Sequence, residues 1–167
     1  MMATFMTANF VNHDDYMTPK AVWEDILEYI PKDGIIWESF YGDGSSGNHL
    51  RELGLDTFHQ EIDFFTEEPD HWDLIVSNPP FTMIKQILKK LFVFDKPFIL
   101  IMPSSKINTQ YFREWKDKGI QIIIPKKRIQ FIKLVNGAVP ENYKSSCNFD
   151  CFYYCYKIGL EKDIVFL

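Results

Sequence analysis

Residues Asp73 to Phe81 read DLIVSNPPF, and this stretch decides both the fold and the location of the chemistry. Leu74, Ile75 and Val76 run through Ser77 as a short, continuously apolar strand of the kind buried in a parallel sheet. Asn78-Pro79 is a familiar way to leave a strand. The second proline and the ring that follows are not explained by a turn alone. Pro79 and Pro80 remove two successive backbone donors and fix two backbone torsions, so the corner is stiff, poor in donors and rich in acceptors.

Outward from this corner, strands and helices alternate. On the C-terminal side, Ile84, Ile87, Leu88 and Leu91 recur at helical spacing and predict a helix from Thr82 to about Phe94, broken by Asp95 to Pro97. FILIMP then reads as a strand buried on both faces, and YFREWKDKG as a short helix. IQIIIP, RIQFIK and DCFYYCYKI follow as extended segments, the last two separated by the loop NGAVPENYKSS. On the N-terminal side, Thr18 and Pro19 open a predicted helix of about three turns, with Val22, Ile26, Leu27 and Ile30 on one face and Pro31 and Gly34 closing it. GIIWESF is a short buried strand, YGDGSSGN a glycine loop, HLRELG helical, and LDTFHQ a second strand leading into the acidic EIDFF. This order predicts an α/β protein of Rossmann-like type: a three-layer sandwich around a mostly parallel, seven-stranded sheet with an antiparallel edge strand.

Composition bounds the function. The chain has 167 residues, which suits one domain, and residues 1–15 read as a tail before it. Apolar residues make up 46% and aromatic residues 16%, including fifteen Phe and eight Tyr, so an ordered core rich in flat rings is expected. No apolar run approaches the roughly 20 residues of a membrane span, and MMATFMTANFVNHDD lacks the basic and apolar blocks of a secretory leader. The expected protein is intracellular and soluble, with no membrane partner. Cys147, Cys151 and Cys155 fall in an aromatic strand-like run without a fourth ligand, and read as buried strand cysteines rather than a metal site or disulfide framework. The net charge of −5 is the wrong sign for gripping duplex nucleic acid over a broad surface. Any such contact must be local, through Lys85, Lys89 and Lys90 or through Lys126, Lys127, Arg128 and Lys133.

Ligands in open parallel sheets bind beyond the carboxyl ends of the strands, where the order of connection reverses. Three unusual stretches share that rim. Glu38, Phe40, Tyr41, Gly42, Asp43 and Gly44 form a glycine loop with carboxylates and no P-loop lysine, better suited to a cationic or zwitterionic ligand than to a phosphate. In EIDFF, Glu61 follows the second strand where nucleotide-binding sheets accept from ribose hydroxyls, and Asp63 and Phe64 offer an acceptor and a ring to an adenine. At the corner, the Asn78 side-chain oxygen and the Pro79 carbonyl can both accept from one amino group while Phe81 stacks on the base that bears it. Accepting both N–H bonds draws the amine lone pair out of conjugation and toward an electrophile.

These stretches carry a resemblance. The sequence is similar to S-adenosylmethionine-dependent amino-methyltransferases of the N6-adenine type, and looks most like the small forms carried by large DNA viruses and phages. Their signature [D/N/S]-P-P-[Y/F/W] is present as Asn78-Pro79-Pro80-Phe81, preceded in order by YMTP, ESFYGDGSSG and EIDFF. The resemblance implies a class I methyltransferase that moves a methyl group from S-adenosylmethionine to the N6 amino group of adenine in DNA. Thr18 and Pro19 would contact the methionine part, and Glu38, Phe40, Tyr41 and Gly42 would form its pocket with Asp43 nearby. Glu61 would bind the ribose, Asp63 and Phe64 the cofactor adenine, and Asn78, Pro79, Pro80 and Phe81 the target base. Arg128 and Phe131 would lie beside that base. Glu38-Ser39-Phe40 stands where Asp-Pro-Phe is common, and a single residue separates Glu61 from Asp63, so either acid could serve the ribose. No segment reads as a separate target-recognition domain; a homodimer or partner subunit could supply that role. RNA adenine or guanine, or a protein glutamine amide, would suit the same corner. So would a non-catalytic, methyltransferase-like subunit. Methylation at cytosine C5 is disfavoured because no cysteine lies at the corner. A dehydrogenase is the remaining alternative: Gly42, Gly44 and Gly47 have G-x-G-x-x-G spacing, but acids stand where a pyrophosphate would sit.

Overall fold

The computed structural model describes residues 16–141 and 147–167; the tail 1–15 and the end of the expected loop, 142–146, lie outside the described residues. Strand β5 (Phe98–Pro103) shows how the layers stack. Residues 98–102 are all buried, and successive side chains point to opposite faces of a sheet. Ile99 and Ile101 join one apolar cluster, while Phe98, Leu100 and Met102 join another. Helix α1 (Lys20–Glu24) adds Val22 and Trp23 to the first cluster, and α2 (Ser45–Glu52) adds Leu50. Helix α3 (Ile84–Phe94) covers the other face with Ile84, Ile87, Leu88 and Leu91, the four positions that the sequence spacing selects, and α4 (Gln110–Arg113) adds Phe112. The sheet therefore lies between two helical layers.

The main sheet has the order β3 (Thr57–Phe58), β2 (Ile36–Trp37), β4 (Leu74–Ser77), β5, β8 (Cys151–Tyr156), β6 (Gln121–Ile124), β9 (Ile164–Phe166). All strands but β8 run the same way, which makes it a seven-stranded, mostly parallel α/β sheet. The expected antiparallel strand exists but is not an edge. β8 lies between β5 and β6, antiparallel to both, and parallel β9 is outermost. The reason is burial on both faces: Tyr153 and Cys155 enter one cluster, Tyr154 and Tyr156 the other, a pattern that favours a neighbour on each side. β9 went unread because it has three residues, two of them largely exposed: Ile164 at 52% and Phe166 at 75%.

Other boundaries moved as well. The first helix is shorter than its periodicity suggests: α1 ends at Glu24, and Leu27–Tyr29 is a 3-10 turn. Ile26 accepts from Tyr29 and donates to Trp23, so Trp23 and Ile26, both fully buried, are brought inward at a spacing of three. Pro19 rather than Thr18 occupies the N-cap position. α2 starts a turn earlier than HLRELG, because Asp43 Oδ1 accepts from Ser45 N (3.0 Å) and Ser45 Oγ (2.5 Å) and so closes the loop onto the helix. RIQFIK contributes only β7 (Ile132–Lys133), which leaves the main sheet and pairs antiparallel with β1 (Tyr16–Met17) as a separate ribbon. The three cysteines are buried and free, as expected, with Cys147 just ahead of the strand and Cys151 and Cys155 within β8.

The chain runs from β2 outward to β3 on one side, then crosses to β4 and β5 on the other. The reversal opens a crevice beyond the carboxyl ends of β2 and β4, where ligand sites form in open sheets of this kind.

Candidate functional site at the β2–β4 crevice

Glu38 follows β2 and Ser77 ends β4, so both stand at the reversal point. Glu38 is 1% exposed. Its Oε1 accepts from Ser77 Oγ and from Phe40 N (3.2 Å), and its Oε2 from Ser46 Oγ in the first turn of α2 (2.5 Å). Trp23 Nε1 donates in turn to Ser46 Oγ at 3.1 Å. Burial pushes the Glu38 carboxyl up to about 7, against the opposing pull of these hydrogen bonds. The acid expected to line a methionine pocket is thus the hub that joins the crevice walls, and Ser46 and Ser77 are the partners that sequence reading missed. Their signal was a serine closing an apolar strand and a serine pair closing a glycine loop.

Asn78 comes next. Its Nδ2 donates to the carbonyl oxygen of Tyr16 in β1 (3.2 Å), while its Oδ1 is buried and has no hydrogen-bond partner among the described residues. Pro79 is buried, and the carbonyl of Pro80 accepts from Met83 N (3.1 Å) to start a 3-10 turn, Phe81–Met83. The Phe81 ring is half-buried and meets Phe131 and Phe149 edge-on, at centroid distances of 6.1 and 5.7 Å. Tyr16 meets the same two rings, at 6.1 and 5.5 Å. Four aromatic rings therefore form one cluster, to which the corner contributes Phe81 and the segment bonded to Asn78 contributes Tyr16.

The β1 segment runs across the rim. Met17 Sδ lies against Gly42, where a side chain would put its first carbon 2.9 Å from the sulfur and where φ is +59°. Thr18 is 2% exposed, its carbonyl faces His49 Nδ1 at 3.2 Å, and its hydroxyl is a second buried group with no partner among the described residues. Pro19 is partly exposed beside it. Phe40 and Tyr41 are half-buried in the glycine loop, Asp43 is exposed, and Gly44 takes φ +85° under the Tyr41 ring. Beneath the loop, His59 lies 4.8 Å from the Tyr41 ring and directly under Gly47, where an added carbon would fall 1.9 Å from its Nδ1. Burial pushes His59 down to about 4, which keeps it neutral, and its Nε2 has no hydrogen-bond partner among the described residues.

EIDFF divides differently from expectation. Asp63 Oδ1 caps its own turn by accepting from Phe65 N (2.8 Å), whereas Glu61 is exposed beyond β3. Phe64 is 3% exposed and packs among Trp37, Phe40, Phe65 and Phe94, so it is a core ring rather than a face open to a ligand; Ile62 and Phe65 beside it are half-buried. Lys90, expected in a basic edge, donates to the Phe64 carbonyl and stacks over the Phe64 ring, and its burial lowers its pKa. Lys85 and Lys89 are exposed on α3. The late basic segment lies on the rim: Lys126 and Lys127 are exposed after β6, Arg128 is paired with Asp150 (2.9 Å), and Lys133 Nζ lies 5.7 Å from the centre of the Tyr16 ring.

The site thus combines carboxylates, unpaired acceptor oxygens and a glycine loop without a lysine. This set suits a cation bearing hydroxyls and an amino-substituted partner, and it suits a pyrophosphate poorly. No protein-family model matches the chain, and no curated protein is similar to it in sequence. Among the described residues, no helix is long and apolar enough to cross a membrane, and no group of three or more metal-ligating side chains occurs.

Proposed function

We propose that the chain is an S-adenosylmethionine-dependent methyltransferase of the class I, N6-adenine type, and that it acts on DNA. The observation that carries the proposal is the buried, unpaired Oδ1 of Asn78 at the β2–β4 crevice. Leaving a buried acceptor unsatisfied costs about 1–3 kcal/mol, so it is best explained by a donor that arrives with the substrate.

Bound at the glycine loop, S-adenosylmethionine would supply an electrophilic methyl group. The residues that fit it are Thr18, with its unpaired buried hydroxyl, the backbone of residues 40–44, and Glu61 for the ribose hydroxyls. Glu38 supports the loop from beneath, through its bonds to Phe40 N and Ser46 Oγ. Asp63 shapes the turn on which the adenine of the cofactor would rest, with Phe65 as the half-buried ring there.

The corner acts on the target. Asn78 Oδ1 and the Pro79 carbonyl accept the two N–H bonds of the exocyclic amine, and Phe81 stacks on the base. Both acceptors are held before the substrate arrives, one by the bond to Tyr16 and the other by the ring constraint of two prolines, so little ordering entropy remains to be lost. In duplex DNA the adenine must leave the stack to reach the corner. The exposed Lys126, Lys127 and Lys133 would supply local contacts to the flanking phosphates.

Two measurements test the reading. S-adenosylhomocysteine should bind and NAD should not compete with it; the reverse preference indicates a dinucleotide site. Methyl-labelled cofactor incubated with DNA, RNA and protein pools should label DNA. Label in RNA or protein alone keeps the chemistry and changes the substrate, and binding without transfer to any pool favours a non-catalytic subunit.

A further inference from the structure

Ser77 is the one polar side chain in β4, and it is 0% exposed. Buried hydroxyls in a strand are costly unless bonded, and an apolar residue would fill the place at less cost. Its partner explains it. The Ser77 hydroxyl donates to Glu38 Oε1, a bond that crosses from β4 to β2 at the bottom of the crevice.

That bond stands where the backbone no longer joins the two strands. β2 and β4 pair only at Ile36 with Leu74 and Trp37 with Ile75; beyond Ile75, β4 is paired on its β5 side alone, with Ser77 opposite Leu100. The side-chain bond continues the β2–β4 link by one residue past Trp37 and two past Ile75. Its acceptor is itself fixed, by Phe40 N and by Ser46 Oγ at the head of α2. None of these partners is a cation. The arrangement therefore depends on directed hydrogen bonds rather than on a charge pair that tolerates many geometries. Immediately after Ser77, Asn78 hangs its amide nitrogen on Tyr16, and the two prolines prevent the chain from absorbing a misplacement downstream.

We propose that Ser77 is a positioning residue: by tying the end of β4 to Glu38, it sets the angle at which Asn78 presents its unpaired oxygen to the target amine. The proposal rests on the methyltransferase reading for its catalytic consequence, though not for its geometry. Constellations of this kind need placement to about 0.5 Å, and a misplacement of about 1 Å costs on the order of 100-fold in rate.

The test combines kinetics with a probe that needs no turnover. In Ser77→Ala, kcat should fall by about 100-fold while KM for S-adenosylmethionine and the affinity for S-adenosylhomocysteine stay within about threefold, and Ser77→Thr should recover at least about tenfold of the loss. The side-chain amide protons of Asn78, followed by NMR, should be distinct and slow to exchange in the wild type. In Ser77→Ala they should move together and exchange faster. If Ser77→Ala does not fold, Ser77→Cys, similar in shape but a weak donor, should show the same changes. An unchanged Asn78 amide pair overturns the proposal whatever the activity, as does an undiminished kcat or a loss confined to KM. A disturbed amide pair in a protein whose wild type transfers no methyl group leaves the positioning role standing and removes the methyltransferase reading.

Discussion

The side chain of Asn78 donates from Nδ2 to the carbonyl of Tyr16, 3.2 Å away, and thereby turns its Oδ1 into a buried position with no partner among the described residues. One bond fixes the orientation of the amide and leaves its acceptor open. A residue selected only for stability would use both ends.

This relationship predicts opposite effects on activity and stability. Asn78→Ala removes an unsatisfied oxygen together with one neutral hydrogen bond, so unfolding free energy should change by less than about 1 kcal/mol, while methyl transfer should fall by at least about 100-fold. Asn78→Asp puts an anionic oxygen against the Tyr16 carbonyl and should cost more stability than alanine does. Urea denaturation of the three proteins, beside single-turnover transfer, checks both statements.

Gly47 predicts a packing effect that has nothing to do with flexibility. A carbon added there would lie 1.9 Å from Nδ1, 2.3 Å from Cγ and 2.4 Å from Cβ of His59. Rotation of the imidazole about its Cβ–Cγ bond relieves the first contact and leaves the other two. Gly47→Ala should therefore destabilise the protein by about 3 kcal/mol, and adding His59→Ala should recover only part of that loss. Thermal denaturation of the single and double variants decides it; a Gly47→Ala protein as stable as wild type would mean that α2 does not pack on β3 in this way.

Glu38 predicts a pH dependence with a defined sign. Its carboxyl is pushed from 4.5 up to about 7, chiefly by burial, so the folded protein holds this proton more tightly than the unfolded chain. Between those values the folded state carries the extra proton, and the stability due to Glu38 falls as pH rises, by on the order of 3 kcal/mol in total. His59 opposes it: pushed from 6.5 down to about 4, it binds its proton more tightly when unfolded and gives stability that rises with pH between about 4 and 6.5. Glu38→Gln removes the first effect alone, so the variant should gain on the wild type steadily from about pH 4.5 to 7. Denaturant unfolding across that range measures the difference, and a flat difference contradicts a buried, charge-averse Glu38.

The basic rim predicts a graded salt response. Lys126, Lys127 and Lys133 are exposed, whereas Arg128 is committed to Asp150 at 2.9 Å. Replacing any of the three lysines by glutamine should lower the slope of log affinity against log salt by about 0.7 on single-stranded DNA, or about 0.9 on duplex, and Arg128→Gln should change it less. Fluorescence anisotropy with a labelled oligonucleotide checks the order.

Much of the architecture was legible because the buried strands are written as unbroken apolar runs. FILIMP is a continuous apolar run typical of a strand buried on both faces, and Ile84, Ile87, Leu88 and Leu91 mark one helix face. The seating of β8 was harder: DCFYYCYKI is apolar on both faces, yet the order of strands in a sheet depends on long-range pairing that no local pattern encodes. β9 and the β1–β7 ribbon are too short to show a period. At the site, glycine loop and corner were readable as chemistry, but their support was not. Which acid faces a ligand and which one serves the fold depends on what packs above it, and Glu38 and Asp63 proved to be held by Ser46, Ser77 and the backbone. Phe64 likewise is one of two adjacent rings, and only packing decides that it is core while Phe65 is half-buried.

The central claim is that the Asn78–Phe81 corner presents a base amine to a methyl donor. Mass spectrometry of nucleosides, released from adenine-containing DNA after incubation with S-adenosylmethionine and the protein, tests it most directly. N6-methyladenine formed by the wild type and missing with Asn78→Ala is the result expected. A protein that binds the cofactor yet leaves every exocyclic amine unmodified, or one whose Asn78→Ala variant methylates as well as the wild type, would contradict it.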